Sequence, residues 1–198
     1  MAQPTSGTAD TLDHEGPWSE EEFLDLPEDR RIELLDGGLL VSPSARRRHQ
    51  RLSSRVWNAL DAVIPQGHEV LEAINVRIGP DRILIPDVVV TTDPGADDVV
   101  ADASVVAMVV EIVSPGSTVA DRAIKPPLYA AAGIPHYLRI EQADPPTAIA
   151  YRLHDGHYVE VARAGRWERL RLAEPFPIDV DLAELAARTR PDEPDPAE

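Results

Sequence analysis

Cysteine is missing from this chain of 198 residues. Disulfides and thiolate metal sites are therefore excluded, and nothing in its sulfur chemistry points away from a cytoplasmic location. Lysine is almost missing: Lys125 stands alone against 18 arginines. Long apolar runs are lacking too. The longest, Val105–Val110, is far too short to cross a bilayer, so no membrane partner is expected. The opening residues MAQPTSGTADTLDHEG have neither the basic start nor the apolar stretch of a secretory signal. Aromatics make up only 5% of the chain, too few to suggest a broad base-stacking surface.

Positive charge is also short, with a net charge of −16, which at first sight disfavours a nucleic-acid ligand. The excess is concentrated at the ends. Residues 1–29 hold nine acids and no Lys or Arg, and residues 189–198 hold four acids and Arg190. The body between them carries 18 basic against 22 acidic residues, which neither requires nor forbids a polyanion. Length and a hydrophobic content of 43% fit one globular domain with a real core. Residues 1–17 and 189–198 read as disordered acidic tails, leaving residues 18–188 as the folded domain.

Local patterns give an α/β reading. Ser19 and Glu22 form a capping box flanked by a Trp18–Phe23 staple, predicting a short helix. RIELLDGGLLVSP predicts a hairpin turning at Asp36-Gly37-Gly38. In RRRHQRLSSRVWNALDAVI, Leu52, Val56, Leu60 and Val63 share one helical stripe. Arg47, Arg51 and Arg55 share a neighbouring one. Strands are expected over His68–Ile78, Ile83–Thr91 and Ser104–Ser114, the last apolar enough to be covered on both faces. A helix over Pro127–Ala132 should end at Gly133. HYLRIE, TAIAYRL, GHYVEVAR and WERLRLA then read as an antiparallel extension, with a last helix over Leu182–Arg188.

Three charged residues break these patterns. Glu111 sits inside the most apolar strand, where an unpaired carboxylate costs several kcal/mol or shifts its pKa. A structural ion pair and a bound cation both answer that cost. Asp87, in ILIPDVVV, marks either a bulge after Pro86 or a second acid beside Glu111. Two such acids repel unless a cation sits between them, and their oxygens suit Mg²⁺. Lys125 survives in an arginine-rich chain, and a compact ammonium of shiftable pKa does what guanidinium cannot. It also fits a plain Asp121–Lys125 pair on a surface turn, worth little.

At these residues the run from Trp18 to Tyr158 resembles the Uma-two family of restriction-endonuclease-like proteins, a branch of the PD-(D/E)XK nuclease superfamily. The matching pieces are RIELLDGGLLVSP, RHQRLSSRVWNAL, IPDVVV, EIVSPGS, DRAIKPPLYAAAGIPHYLRI and YRLHDGHY, in order over about two-thirds of the chain. The resemblance implies a mixed β-sheet core flanked by helices, with an N-terminal hairpin and antiparallel C-terminal strands. It implies that Asp87 and Glu111 bind metal, Mg²⁺ or Mn²⁺, and that Glu33 is a further acid of the site. Val113 stands where the superfamily carries lysine, and Lys125 is the candidate substitute. His49 and Gln50 also match, while Leu138 and Glu141 stand where many relatives carry Trp and Asp.

The implied activity is Mg²⁺-dependent hydrolysis of phosphodiester bonds in DNA. The metal would activate water and Lys125 would orient it or stabilise developing charge. Arg47, Arg51 and Arg55, with Arg46 and Arg48, either contact phosphates or form a solvated helix face. The rival reading is a catalytically silent binding or regulatory module, which the missing lysine at Val113 supports. A homodimer would suit double-strand cleavage.

Overall fold

Residues 14–27, 31–42, 44–114 and 118–186 are described by a computed structural model. Residues 1–13 of the expected tail 1–17, the expected tail 189–198 and the end of the last helix lie outside these residues. His14 is held against the body, its ring stacked on Trp18 at 4.1 Å.

Helix α1 (Glu20–Leu24) starts at the Ser19 capping box and buries Phe23. Strands β1 (Ile32–Leu35) and β2 (Gly38–Val41) follow as a hairpin pairing Leu35 with Gly38. Its two-residue turn puts Asp36 and Gly37 at φ 52° and 78°, the left-handed pair that matches the twist of the strands. Helix α2 (Arg47–Asp61) buries Leu52, Val56 and Leu60. Val63 lies beyond its end and is exposed, so the apolar stripe is one residue shorter than its periodicity suggests.

The expected strand His68–Ile78 is two strands, β3 (Glu69–Glu72) and β4 (Asn75–Gly79), in different sheets. The bend falls at Ala73, with φ 52°, and no Gly or Pro announces it. The expected strand Ile83–Thr91 likewise divides into β5 (Arg82–Leu84) and β6 (Val88–Thr91). Here the signal is visible, because Pro86 has no amide hydrogen to give a ladder. Strand β7 (Val100–Asp102) was not foreseen, and β8 (Val106–Val113) follows a 3₁₀ turn. All eight residues of β8 are buried, as its apolar run demands.

A π-helical turn (Ala120–Ile124) leads into α3 (Lys125–Ala131). Pro126 and Pro127 offer no N–H to the carbonyls of the preceding turn, which loosens that turn into the wider π form. Gly133 ends the helix at φ 80°. Then come β9 (His136–Glu141), β10 (Thr147–His154) and β11 (His157–Ala164). Strand β12 (Arg169–Leu172) does not extend that run; it pairs with the unforeseen β13 (Ile178–Asp181) in a separate ribbon before α4 (Leu182–Ala186).

The result is a mixed α/β fold. One sheet has the order β2-β1-β5-β4-β7, the other β11-β10-β9-β8-β6-β3. In the second sheet β8 and β9 run parallel, joined across by α3, while the other pairs are antiparallel. Alternation along β8 sends Met108, Val110 and Ile112 into the larger core with α2 and Val109 into the core with Tyr129 of α3, while Val106, across an irregularity in the pairing with β6, also joins the second core. No helix among the described residues is long and apolar enough to cross a membrane.

Candidate active site

The chain passes from one sheet to the other between β5 and β6, where the Asp87 carbonyl accepts from the Ala73 amide at 3.2 Å and Ile85 lies outside both strands. Site side chains satisfy the Ile85 backbone. Glu33 Oε1 accepts from the Ile85 amide at 2.8 Å, and the Arg31 guanidinium donates to the Ile85 carbonyl at 2.9 Å. Glu33 can reach because strand alternation turns Ile32 and Leu34 into their own core and leaves Glu33 on the opposite face.

Asp87 lies one residue before β6. Val88 pairs with Val110, so the antiparallel register brings Asp87 level with Glu111. The Ile112 amide donates to Asp87 Oδ2 at 2.7 Å, and His49 Nε2 lies 3.2 Å from the same oxygen. Arg31 donates to Oδ1 at 2.7 Å. Burial pushes the Asp87 carboxyl up, but His49 and Arg31 outweigh it and hold the group below its ordinary value.

Glu111 shares the face of β8 that carries Val109 and meets α3. Its Oε1 accepts from the Tyr129 hydroxyl at 2.6 Å and from the Lys125 ammonium at 3.0 Å. The same ammonium is 2.9 Å from Glu33 Oε1 and 3.8 Å from Asp121 Oδ1. Burial is the largest influence on Glu111. Lys125 opposes it, Asp87, Asp121 and Glu33 reinforce it, and the carboxyl is pushed up to about 8. For Lys125 burial acts downward, yet Glu111, Glu33 and Asp121 together hold the ammonium above its ordinary range. Glu33, Glu111 and Asp121 are at most 2% exposed and Lys125 is 6% exposed, so Asp121–Lys125 is a buried pair, not the surface turn considered above.

A cleft of about 270 Å³ opens onto this cluster and is lined by Arg31, Glu33, His49, Asp87, Glu111 and Lys125, among others. One of its oxygens, Glu33 Oε2, is buried with no hydrogen-bond partner. Among the described residues no three His, Asp or Glu side chains form a metal-holding group by themselves.

The remaining candidates separate. Gln50 is exposed on α2 and does not line the cleft. Arg47 and Arg51 are exposed. Arg55 instead donates to the Glu184 and Leu185 carbonyls at 3.1 and 3.0 Å, fastening α2 to the end of α4. Arg46 reaches the cleft wall at the start of α2. Val113, at the position where a lysine was expected, is buried in β8.

Arg31 and Tyr129 join the site without having been singled out from the sequence, and Asp121, read there only as a surface partner of Lys125, joins it as a buried acid. Asp121, Lys125 and Tyr129 recur at intervals of four, one helical face. The Pro126-Pro127 pair obscured that signal by suggesting a helix start downstream of Lys125. Arg31 carried no signal, because its partner Asp87 is distant in the chain.

No curated protein matches this chain. Among solved structures, one similar to it is the crystal structure of a "putative nuclease belonging to DUF820" from Anabaena variabilis ATCC 29413. It superposes with a TM-score of 0.67 at 17% identity, covering 86% of this chain and 98% of that one, a likeness of fold. The Uma2 family model, described as "Putative restriction endonuclease", matches residues 20–186. Spanning nearly all of the described fold, that match makes the chain a member of the Uma2 family.

Proposed function

We propose that this protein is a Mg²⁺-dependent endonuclease that hydrolyses phosphodiester bonds in DNA. The observation that carries the reading is the convergence of Asp87, Glu111 and Lys125, from three separate elements, on the floor of one cleft. Membership of a family described as a restriction endonuclease supports the reaction class.

The residues fit a divalent cation. Glu33 Oε2 is a buried oxygen without a partner, and Glu111 is raised first by burial and then by the neighbouring Asp87, Asp121 and Glu33, against the opposing pull of Lys125. All the acids offer hard oxygen donors, and Mg²⁺ needs only one or two carboxylates because it keeps several waters. Asp87 and Glu111 would hold it, with Glu33 beside them. When bound, the metal lowers the pKa of a coordinated water and neutralises charge on the phosphoryl group.

The chain's own residues do the rest. His49 and the Ile112 amide fix one oxygen of Asp87, and the Arg31 guanidinium holds the other. Tyr129 keeps its proton, since burial and the nearby acids hold its phenol well above the ordinary value, and it orients Glu111 as a donor. Lys125 supplies a fixed positive charge beside the reacting phosphate, replacing the lysine missing at Val113. Arg46 and the exposed Arg47 and Arg51 offer phosphate contacts that read no sequence.

Supercoiled plasmid incubated with the protein and Mg²⁺ or Mn²⁺ should convert to the nicked form, and chelator should stop it. No product from plasmid, linear duplex or single strands with either metal would overturn the proposal. A second reading, a catalytically silent module, draws on Arg31 and Lys125 already countering Asp87 and Glu111. Calorimetric titration with Mg²⁺ separates the two, because a silent scaffold has no need of the ion.

A further inference from the structure

Asp87 is the acid proposed to hold the cation, yet both of its oxygens are engaged. The two sets of partners differ in kind. Oδ2 is held by the Ile112 amide at 2.7 Å and faces His49 Nε2 at 3.2 Å, both built into the packed interior, since His49 is 8% exposed and Ile112 0%. Among the described residues Oδ1 is held by the Arg31 guanidinium, at 2.7 Å, and the Arg31 side chain is 28% exposed. Arg31 borders two cavities, the cleft over Asp87 and a second one lined by Phe23, Ile74 and Ile85. It therefore has open space on both sides, and leaving Oδ1 gives up, besides that bond, its donation to the Ile85 carbonyl at 2.9 Å.

A cation arriving at Oδ1 meets a positive charge already in that place. Two like charges on one carboxylate oxygen repel, so one must yield. The metal cannot be replaced by the guanidinium as an activator of water, whereas the guanidinium has another role open to it. Once off Asp87, it is a planar fork of donors at the cleft, a shape that matches a phosphate diester in two hydrogen bonds.

We propose that Arg31 is a positioning residue with two alternative anions: it neutralises Asp87 until a divalent cation displaces it, then grips a substrate phosphate. The inference rests on the metal-dependent reading above and names the residue that couples cation binding to substrate binding. It assigns opposite effects to one side chain, since removing Arg31 frees the metal site while it strips the substrate site of a contact. A residue that merely held the seam together would weaken both.

The test uses the full chain carrying Arg31→Met, and Arg31→Gln as a milder variant that keeps a donor for the Ile85 carbonyl. Mg²⁺ alone is titrated by calorimetry, and a labelled 20-base-pair duplex is titrated by anisotropy in Ca²⁺ across a range of salt. Both variants should bind Mg²⁺ about tenfold tighter, because the competing state is gone. Both should lose about one unit from the salt slope of DNA binding, the signature of one phosphate contact. Arg31→Lys, which keeps the charge but not the fork, should restore the salt slope. Equal or weaker Mg²⁺ binding in the variants, or an unchanged salt slope, would overturn the role of Arg31 and leave the metal site standing. Absence of Mg²⁺ binding in the unmodified protein would overturn the metal site itself, and this inference with it.

Discussion

Replacing Lys125 by Met keeps the length and apolar stem of the side chain and removes only the ammonium. That ammonium lies within 3.0 Å of Glu33 and Glu111 and 3.8 Å of Asp121, all of them buried. Leaving such acids without their cation should cost about 3–5 kcal/mol at alkaline pH, the usual consequence of breaking a buried pair. The cost depends on pH in a determined direction. The folded-state carboxyl of Glu111 is already raised from 4.5 to about 8. The stability linked to its proton is therefore fully present below the unfolded value and is lost as pH climbs through about 8. Without Lys125 the carboxyl rises further, so the variant loses up to about 1.4 kcal/mol more per pH unit over the added interval. Urea denaturation followed by tryptophan fluorescence should give a deficit of about 3–5 kcal/mol at pH 9.5, shrinking by about 2 kcal/mol at pH 5.5, where both proteins hold the Glu111 proton. The double variant Lys125→Met with Glu111→Gln should recover much of the loss. A deficit below 1 kcal/mol, or one equal at both pH values, would refute the view that Lys125 is the charge balance of this cluster.

Glu33→Ala should destabilise by roughly 2–3 kcal/mol because the buried Ile85 amide loses its acceptor, whereas Glu33→Gln should cost less; matched urea midpoints would count against this role. Mg²⁺ affinity should rise with pH up to about 8 and then level off, because Glu111 must shed its proton to bind a cation and that proton is held to about 8. Calorimetry in two buffers of different ionisation enthalpy should show close to one proton released per ion near neutral pH, and zero release would contradict it. Arg55→Ala should lower stability by about 1 kcal/mol and leave DNA affinity unchanged, while Arg47→Ala and Arg51→Ala should each reduce the salt slope of DNA binding by about one.

How much of this could be read in the sequence depended on the range of the signal. The turn at Asp36-Gly37 and the burial of β8 were legible, because each is set by residues close in the chain. Glu111 stood out for the same reason, as a charge inside an apolar strand. The two bends that send β3 and β4, and β5 and β6, into different sheets were not legible as such. No Gly or Pro marks Ala73, and its amide is held by the Asp87 carbonyl at 3.2 Å, a partner distant in the chain. The partnership of Arg31 with Asp87 spans 56 positions, and no local pattern carries it. Lys125 stands out for its rarity, but the sequence does not place it on the helix. Two prolines suggested that the helix began after it, whereas the π turn carries the helical face back through Lys125 to Asp121.

The most direct test of the account compares rates of plasmid nicking in saturating Mg²⁺ for the unmodified protein, Asp87→Ala and Glu111→Ala, each first shown by thermal melting to be folded. The account predicts nicking by the unmodified protein and a loss of at least about a hundredfold in both variants, the scale expected when a group acting on the transition state is removed. Nicking by either folded variant at the unmodified rate would contradict it.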